Sequence, residues 1–315
     1  PSVGKLVPKV RFTARILYVL YVALTVLQVL VMLLGGMTFY EALCTSFGTA
    51  GTGGFGIYGD SIAGFSPFLQ WAIALFMIAF GVNFNVYFLL YMRRPKDALH
   101  CEEMHWYLGI IVAAALMICA NAYDVAMTLE GNLRQSFFQV ASIITTTGFA
   151  TTDFNLWPGF SRGILVVLMF VGACAGSTGG GIKVVRILVL LKLIRRGIST
   201  RLHPNIVESV KLNGKNMPGD AVSAIVNHFF LYLAMVFAGA FIVSFENADM
   251  MTCFSSVITC LGNIGPGFGA VGPVDNFGGL SVLSKYLLSI YMLAGRLELY
   301  TMFIILTPRF WNPDR

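Results

Sequence analysis

Charge is what this sequence has least of: 11% of its 315 residues are Asp, Glu, Lys or Arg, against about 25% in soluble domains. With 57% hydrophobic residues and a mean hydropathy of +0.77, that scarcity excludes a water-soluble domain and specifies an integral membrane protein. The net charge of +6 would suit a nucleic-acid binder, but the positions of the cations argue otherwise. Lys5, Lys9, Arg11 and Arg15, then Arg93, Arg94 and Lys96, then a run from Lys183 to Lys215, then Arg309 and Arg315 fall at one set of segment ends. That is the cytoplasmic pattern of the positive-inside rule. Arg134, Arg162 and Lys285 lie in the opposite loops, and Arg296 lies inside an apolar segment.

Catalytic and ligand patterns are missing too. The six cysteines (Cys44, Cys101, Cys119, Cys174, Cys253, Cys260) form no CxxC pair and read as small core hydrophobes. His100, His105, His203 and His228 show no ligand spacing, and no nucleophile–base constellation stands out. An intramembrane enzyme would need such a set; Arg296 and Glu298 are the buried ionisable pair on offer. Gly176 to Lys183 approaches a phosphate-loop pattern, but the Lys comes one residue late and no Ser or Thr follows it. Gly51, Gly53, Gly56 and Gly267, Gly269, Gly272 match the spacing of a dinucleotide fingerprint without following a strand. No signal peptide is visible, and the chain opens at Pro1 without a Met.

What is present is glycine, 33 residues of it, and its placement organises the chain. Between Gly131 and Lys183 a short apolar segment, Ser136 to Ile144, leads into the turn Thr146-Thr147-Gly148-Phe149. A second apolar segment follows, broken by the small-residue run Gly172 to Gly181. The first segment is too short to span, since a spanning helix takes roughly 20 apolar residues. It suits a re-entrant element. Irregular backbone at membrane depth persists only inside protein or along a watery path, and carbonyls in such a turn can replace the water around a cation. The expected function is an ion pathway.

The order spanning segment, short segment, turn, returning segment occurs three times. The spans are Thr13 to Leu34 and Phe68 to Met92, then Trp106 to Leu129 and Gly163 to Arg196 with its break, then Ala221 to Phe245 and Leu283 to Leu306. The short segments are Phe39 to Phe47, Ser136 to Ile144 and Thr252 to Cys260. An ungapped alignment of Ala42 to Gly54, Phe137 to Phe149 and Phe254 to Pro266 places Gly53, Gly148 and Gly265 in register. The predicted fold is all-α, with helix–re-entrant pore loop–helix units over 1–99, 100–215 and 216–315 around an axis along the membrane normal. Three copies leave a fourfold ring open, so a fourth is expected upstream of Pro1.

With TAGTGGF (49–55), TTTGFATTDFN (145–155), GSTGGGIKVVR (176–186), NIGPG (263–267) and AGRLELY (294–300), the chain resembles the Trk/Ktr/HKT superfamily of potassium uptake proteins, and within it the TrkH-type membrane subunit of bacterial Trk systems. The resemblance implies four units around a pseudo-fourfold pore in one polypeptide. It implies a potassium filter at Gly51, Thr52, Gly53 and Gly54, at Thr146, Thr147, Gly148 and Phe149, and at Asn263, Ile264, Gly265 and Pro266. It implies a gate built from Gly172, Gly176, Ser177, Thr178, Gly179, Gly180 and Gly181, with Arg296 as a pore cation beside it. Potassium would be the transported ion, no cofactor is implied, and a sodium-permeable member of the superfamily is the alternative. A homodimer in the bacterial inner membrane, bound by a cytosolic nucleotide-binding subunit of the TrkA type, is the implied assembly, without nucleic acid.

Further expectations rest on the residues themselves. Glu41, Asp60, Glu130, Asp153, Glu246, Asp249 and Asp275 on the outer side could concentrate cations or form an ordinary solvated face. Lys183 and Arg186 would lie near the cytoplasmic mouth. Asn83 and Asn85 read as mid-helix residues that bond neighbouring helices.

Overall fold

The computed structural model describes residues 10–203, 209–305 and 307–311. The α-helices are α1 (Val10–Leu34), α2 (Phe39–Ala50), α3 (Pro67–Gly81), α4 (Phe84–Tyr91), α5 (Pro95–Leu99), α6 (Glu102–Asn121), α7 (Leu129–Ile144), α8 (Gly159–Val171), α9 (Val184–Leu202), α10 (Gly219–Val243), α11 (Met250–Gly262), α12 (Val282–Arg296), α13 (Leu299–Ile305) and α14 (Pro308–Trp311). A two-stranded hairpin, β1 (Lys211–Leu212) with β2 (Lys215–Asn216), lies between α9 and α10.

The C-terminal halves of the short helices α7 and α11 are the inside of the molecule. In α11 every residue from Thr252 to Gly262 except Phe254 is buried, and in α7 the run from Phe138 to Ile144 is buried without a gap. The long helices surround them and turn apolar side chains outward. Phe12–Leu34, Glu102–Asn121 and Gly219–Glu246 are each long and apolar enough to cross a membrane. α1 exposes Val19, Val22, Val26, Leu27 and Leu30, a face that only lipid or further protein can cover. The chain is therefore a multi-pass membrane protein.

Each short helix begins at a side-chain cap. Thr38 caps α2 and forms a reciprocal box with Glu41, Thr128 caps α7, and Asp249 caps α11. These caps correct two sequence boundaries. α6 stops at Asn121 rather than running to Leu129, because Asn132 bonds the backbone of Asp124 and Thr128 and draws the chain into a turn there. Leu129 instead opens α7, which starts seven residues before the expected Ser136.

The larger correction concerns the returning segments. The sequence predicts continuous spans over Phe68 to Met92 and Leu283 to Leu306, and both are broken. α3 and α4 meet at 86°, α12 and α13 at 111°. Asn83 is thus not mid-helix; its side chain caps α4 by accepting from the Asn85 N–H at 2.9 Å. The first bend releases backbone groups that the glycine run takes up. The Cys174 N–H donates to the Gly81 carbonyl (3.0 Å), and the Phe84 N–H donates to the Gly176 carbonyl (3.2 Å). A buried helix end needs such partners, and these lie about ninety residues away in sequence, where no local pattern reports them.

Candidate functional site

α2, α7 and α11 end at three turns of one backbone conformation. Thr52 and Gly54 have φ of 49° and 64°, Thr146 and Gly148 of 57° and 89°, Asn263 and Gly265 of 55° and 110°. Their bonds match as well. The N–H of Gly53 donates to Gly48, that of Thr147 to Ser142 and that of Ile264 to Thr259, at 2.8, 2.9 and 2.8 Å. Gly54, not Gly53, is therefore the partner of Gly148 and Gly265, and the ungapped alignment is one residue out in its first copy. Matching Gly54-Phe55 to Gly148-Phe149 would have found the register, because Gly is the residue for which positive φ carries no Cβ penalty.

The turns press directly on one another. A Cβ on Gly54 would run into the carbonyl of Thr147, and one on Gly148 into the carbonyl of Ile264. A backbone carbonyl of one turn thus lies against the glycine of the turn before it, with no side chain between them. Thr145, Thr146 and Thr147 are fully buried, and the Ser142 hydroxyl holds the Phe149 carbonyl at 2.5 Å. The C-terminal ends of three helices converge here, and each brings a partial negative charge suited to a cation.

The run Gly172 to Gly181 forms a loop that touches the first two turns and the end of α11. The Thr52 hydroxyl donates to the Thr178 carbonyl (2.9 Å), the Gly180 N–H donates to the Thr146 hydroxyl (2.7 Å), and Gly180 packs on the Gly262 carbonyl at the end of α11. Gly172, Gly176 and Gly181 have φ of 73°, 75° and 76°. Ser177 bonds Cys174 (2.6 Å) and accepts from Gly179 (3.3 Å) within the loop. Arg296 is the last residue of α12, at the bend rather than inside a continuous span, and its guanidinium donates to the Thr178 carbonyl at 3.0 Å. The structure thus brings Thr52, Gly54, Thr146, Thr147, Gly148 and Ile264 of the turns together with Thr178 and Gly180 of the loop, and places Arg296 on the Thr178 carbonyl.

The segment after the loop carries ionic contacts of residues already noted in the sequence, while Glu103, which the sequence reading passed over, bonds to the loop itself. Glu298 pairs with Arg186 at 2.7 Å, not with Arg296, and Arg186 also contacts His228 at 3.0 Å, tying the start of α9 to the second bend. Glu103 is buried against the loop's ends. Its signal, an acid at the start of an apolar segment, is indistinguishable in sequence from an ordinary charge in a first helical turn. Most of the outer acids are engaged locally: Glu41 with Thr38 and Tyr58, Glu130 with Arg134 and Trp71, Asp153 with Asn155, Glu246 with Ser281, and Asp249 with Thr252. Hydrogen bonding from the Thr252 hydroxyl holds the Asp249 carboxyl below its usual range.

A family model described as TrkH, cation transport protein, matches residues 2–111 and 106–311. Over 98% of its length the chain is 36% identical to the Trk system potassium uptake protein TrkH of Salmonella typhimurium, and 31% identical to the Trk system potassium uptake protein TrkG of Escherichia coli K12. It spans 64% of the length of each. Its fold matches the crystal structure of the potassium transporter TrkH from Vibrio parahaemolyticus with a TM-score of 0.89 at 32% identity, covering 98% of this chain and 67% of that one. Fold and sequence match along nearly the whole chain, and it belongs to the TrkH family of cation transport proteins.

Proposed function

We propose that the protein takes up potassium ions across the bacterial inner membrane as the membrane subunit of a Trk-type system. The observation that carries this reading is the convergence of three turns of one conformation, carbonyl against backbone, beside a glycine loop that bonds to two of them. Carbonyls so placed stand in for the hydration shell of a monovalent cation. The coordinating stretches are Thr52 to Phe55, Thr146 to Phe149 and Asn263 to Pro266, the first moved one residue on from Gly51 to Gly54 by the turn register.

Segments 1–99, 100–215 and 216–315 are three pore units of a pseudo-fourfold ring. The loop from Gly172 to Gly181 obstructs the path beneath the filter, and Arg296 adds a fixed positive charge to that obstruction. The complete protein assembles as a homodimer, and the basic segment from Lys183 to Lys215 receives a cytosolic nucleotide-binding subunit of the TrkA type. Potassium is cargo rather than cofactor. Uptake of potassium, rubidium and sodium by cells expressing the complete gene tests the reading. Potassium and rubidium uptake well above that of sodium supports it, and equal sodium uptake favours the sodium-permeable alternative.

A further inference from the structure

Glu103 has no part in the reading above, yet a carboxylate 4% exposed in a spanning helix is costly unless its oxygens are paired. Its direct partners are neutral donors. One oxygen accepts from the backbone N–H of Ala175 (2.6 Å) and of Val185 (3.3 Å), and the other from the Asn83 amide (3.4 Å). Ala175 and Val185 flank Thr178 on either side, so a single carboxylate fastens both limbs of the loop to α6. Asn83 extends the clasp to the bend before α4, whose Phe84 N–H is already bonded to Gly176. Three donors converge on this one side chain, and none of them is left unpaired in the buried site. Glu103 is thus a strong fixed point for a loop whose glycines give it little stiffness of its own.

The clasp is itself held from the cytoplasmic side. The Glu102 N–H donates to the Asn213 side chain at the tip of the β1–β2 hairpin (2.8 Å). Lys192 on α9 bridges the Glu102 carboxylate and the Lys211 carbonyl. The hairpin therefore grips α6 one residue from the group that grips the loop.

We propose that Glu103 is a positioning residue that sets where the glycine loop lies, and that the hairpin Lys211–Asn216 is the handle through which events on the basic cytoplasmic segment reach it. The positioning role stands on geometry; its effect on ion flux rests on the gate reading above. Two readouts separate them. In proteoliposomes holding the protein expressed from its complete gene, a Thr178→Cys substitution reports loop position through its rate of reaction with a cationic thiol reagent, corrected for the rate without that substitution. Rubidium influx reports gating.

In that background, Glu103→Leu keeps the volume and removes the acceptor. It should raise the corrected thiol reaction rate about tenfold, the effect of losing roughly 1.4 kcal/mol of loop fixation. Glu103→Gln keeps a carbonyl for Ala175 and Val185, and should stay within about threefold of the rate with Glu103 intact. Asn213→Ala should give an increase smaller than that of Glu103→Leu, and adding it to Glu103→Leu should add nothing, as expected of two residues acting in series. An unchanged thiol rate in Glu103→Leu, or Gln and Leu variants with equal rates, would overturn the positioning role. Should Glu103→Leu fail to reach the membrane, an unaltered rate in Asn213→Ala overturns the handle, and a tenfold rate in Glu103→Gln overturns the acceptor argument. A raised thiol rate with unchanged rubidium influx leaves the positioning intact and removes the gate.

Discussion

Gly148 and Gly265 occupy equivalent places, at φ of 89° and 110°, yet they differ in what surrounds them. A Cβ at Gly265 meets nothing within 4 Å, whereas one at Gly148 meets the Ile264 carbonyl and, at 3.1 Å, the Pro266 ring. Gly265→Ala should therefore cost only the left-handed dihedral penalty, about 1–2 kcal/mol. Gly148→Ala must also displace a neighbouring turn and should lower thermal stability in detergent clearly more. Equal melting shifts for the two would mean that the turns do not press on each other. For Arg296 the relevant quantity is charge. A guanidinium stays ionised at any working pH, and at an effective dielectric of about 20 it opposes a monovalent ion 4 Å away by ~4 kcal/mol, before water reduces this. Arg296→Ala should raise rubidium influx, by tenfold for each ~1.4 kcal/mol of barrier removed. Arg296→Lys retains the charge but loses the guanidinium that reaches the Thr178 carbonyl, and should fall between the two. Wild-type influx in both variants at equal expression would make Arg296 a purely structural residue.

At the scale of elements, the spanning and short helices are legible in the sequence because hydrophobic length separates them. The break at Gly172 to Gly181 is legible because small residues announce it. The bends after Gly81 and Arg296 are not. Phe68 to Met92 is long and mostly apolar, Asn83 caps α4 only once the chain has bent, and the other groups that stabilise the bend, Cys174 and Gly176, belong to another element. The same holds for Glu103, whose partners Ala175 and Val185 are defined only once the loop is folded against α6. The first turn comes out one residue early in the sequence alignment because Gly53 and Gly54 are adjacent and only backbone dihedrals distinguish them. Deleting about half of Gly172 to Gly181 should raise basal rubidium influx, since the loop contributes contacts to the turns but no span of its own. Loss of influx at normal expression would assign it a structural role. Asp249→Ala should destabilise α11 by about 1 kcal/mol through loss of its cap. Because the folded Asp249 pKa is depressed, that contribution is present above the ordinary Asp pKa near 3.9 and disappears as pH falls through the lower folded value. The melting difference between wild type and Asp249→Ala should accordingly hold at neutral pH and narrow in acid; a difference that persists in strong acid would contradict the ionic cap.

Across the described residues, α7 and α11 are buried behind long helices that turn apolar side chains outward, so the backbone of their turns is shielded from lipid. Backbone carbonyls cannot remain unpaired in a bilayer core, and the three turns keep theirs close together by using residues without bulky side chains at the points of contact. α3 packs on α7 and α8 on α11, which links the first turn to the second and the second to the third. On the filter reading proposed above, selectivity would be a collective property of several carbonyl groups, and a Cβ added in one turn would press on the next. The most direct measurement is the ratio of rubidium to sodium influx in proteoliposomes carrying wild-type protein or Gly148→Ser. The added Cβ pushes on the Ile264 carbonyl of the neighbouring turn, so the ratio should be well above one for wild type and fall several-fold in the variant. An unchanged ratio in a correctly inserted Gly148→Ser protein would contradict the assignment of these turns as the potassium filter.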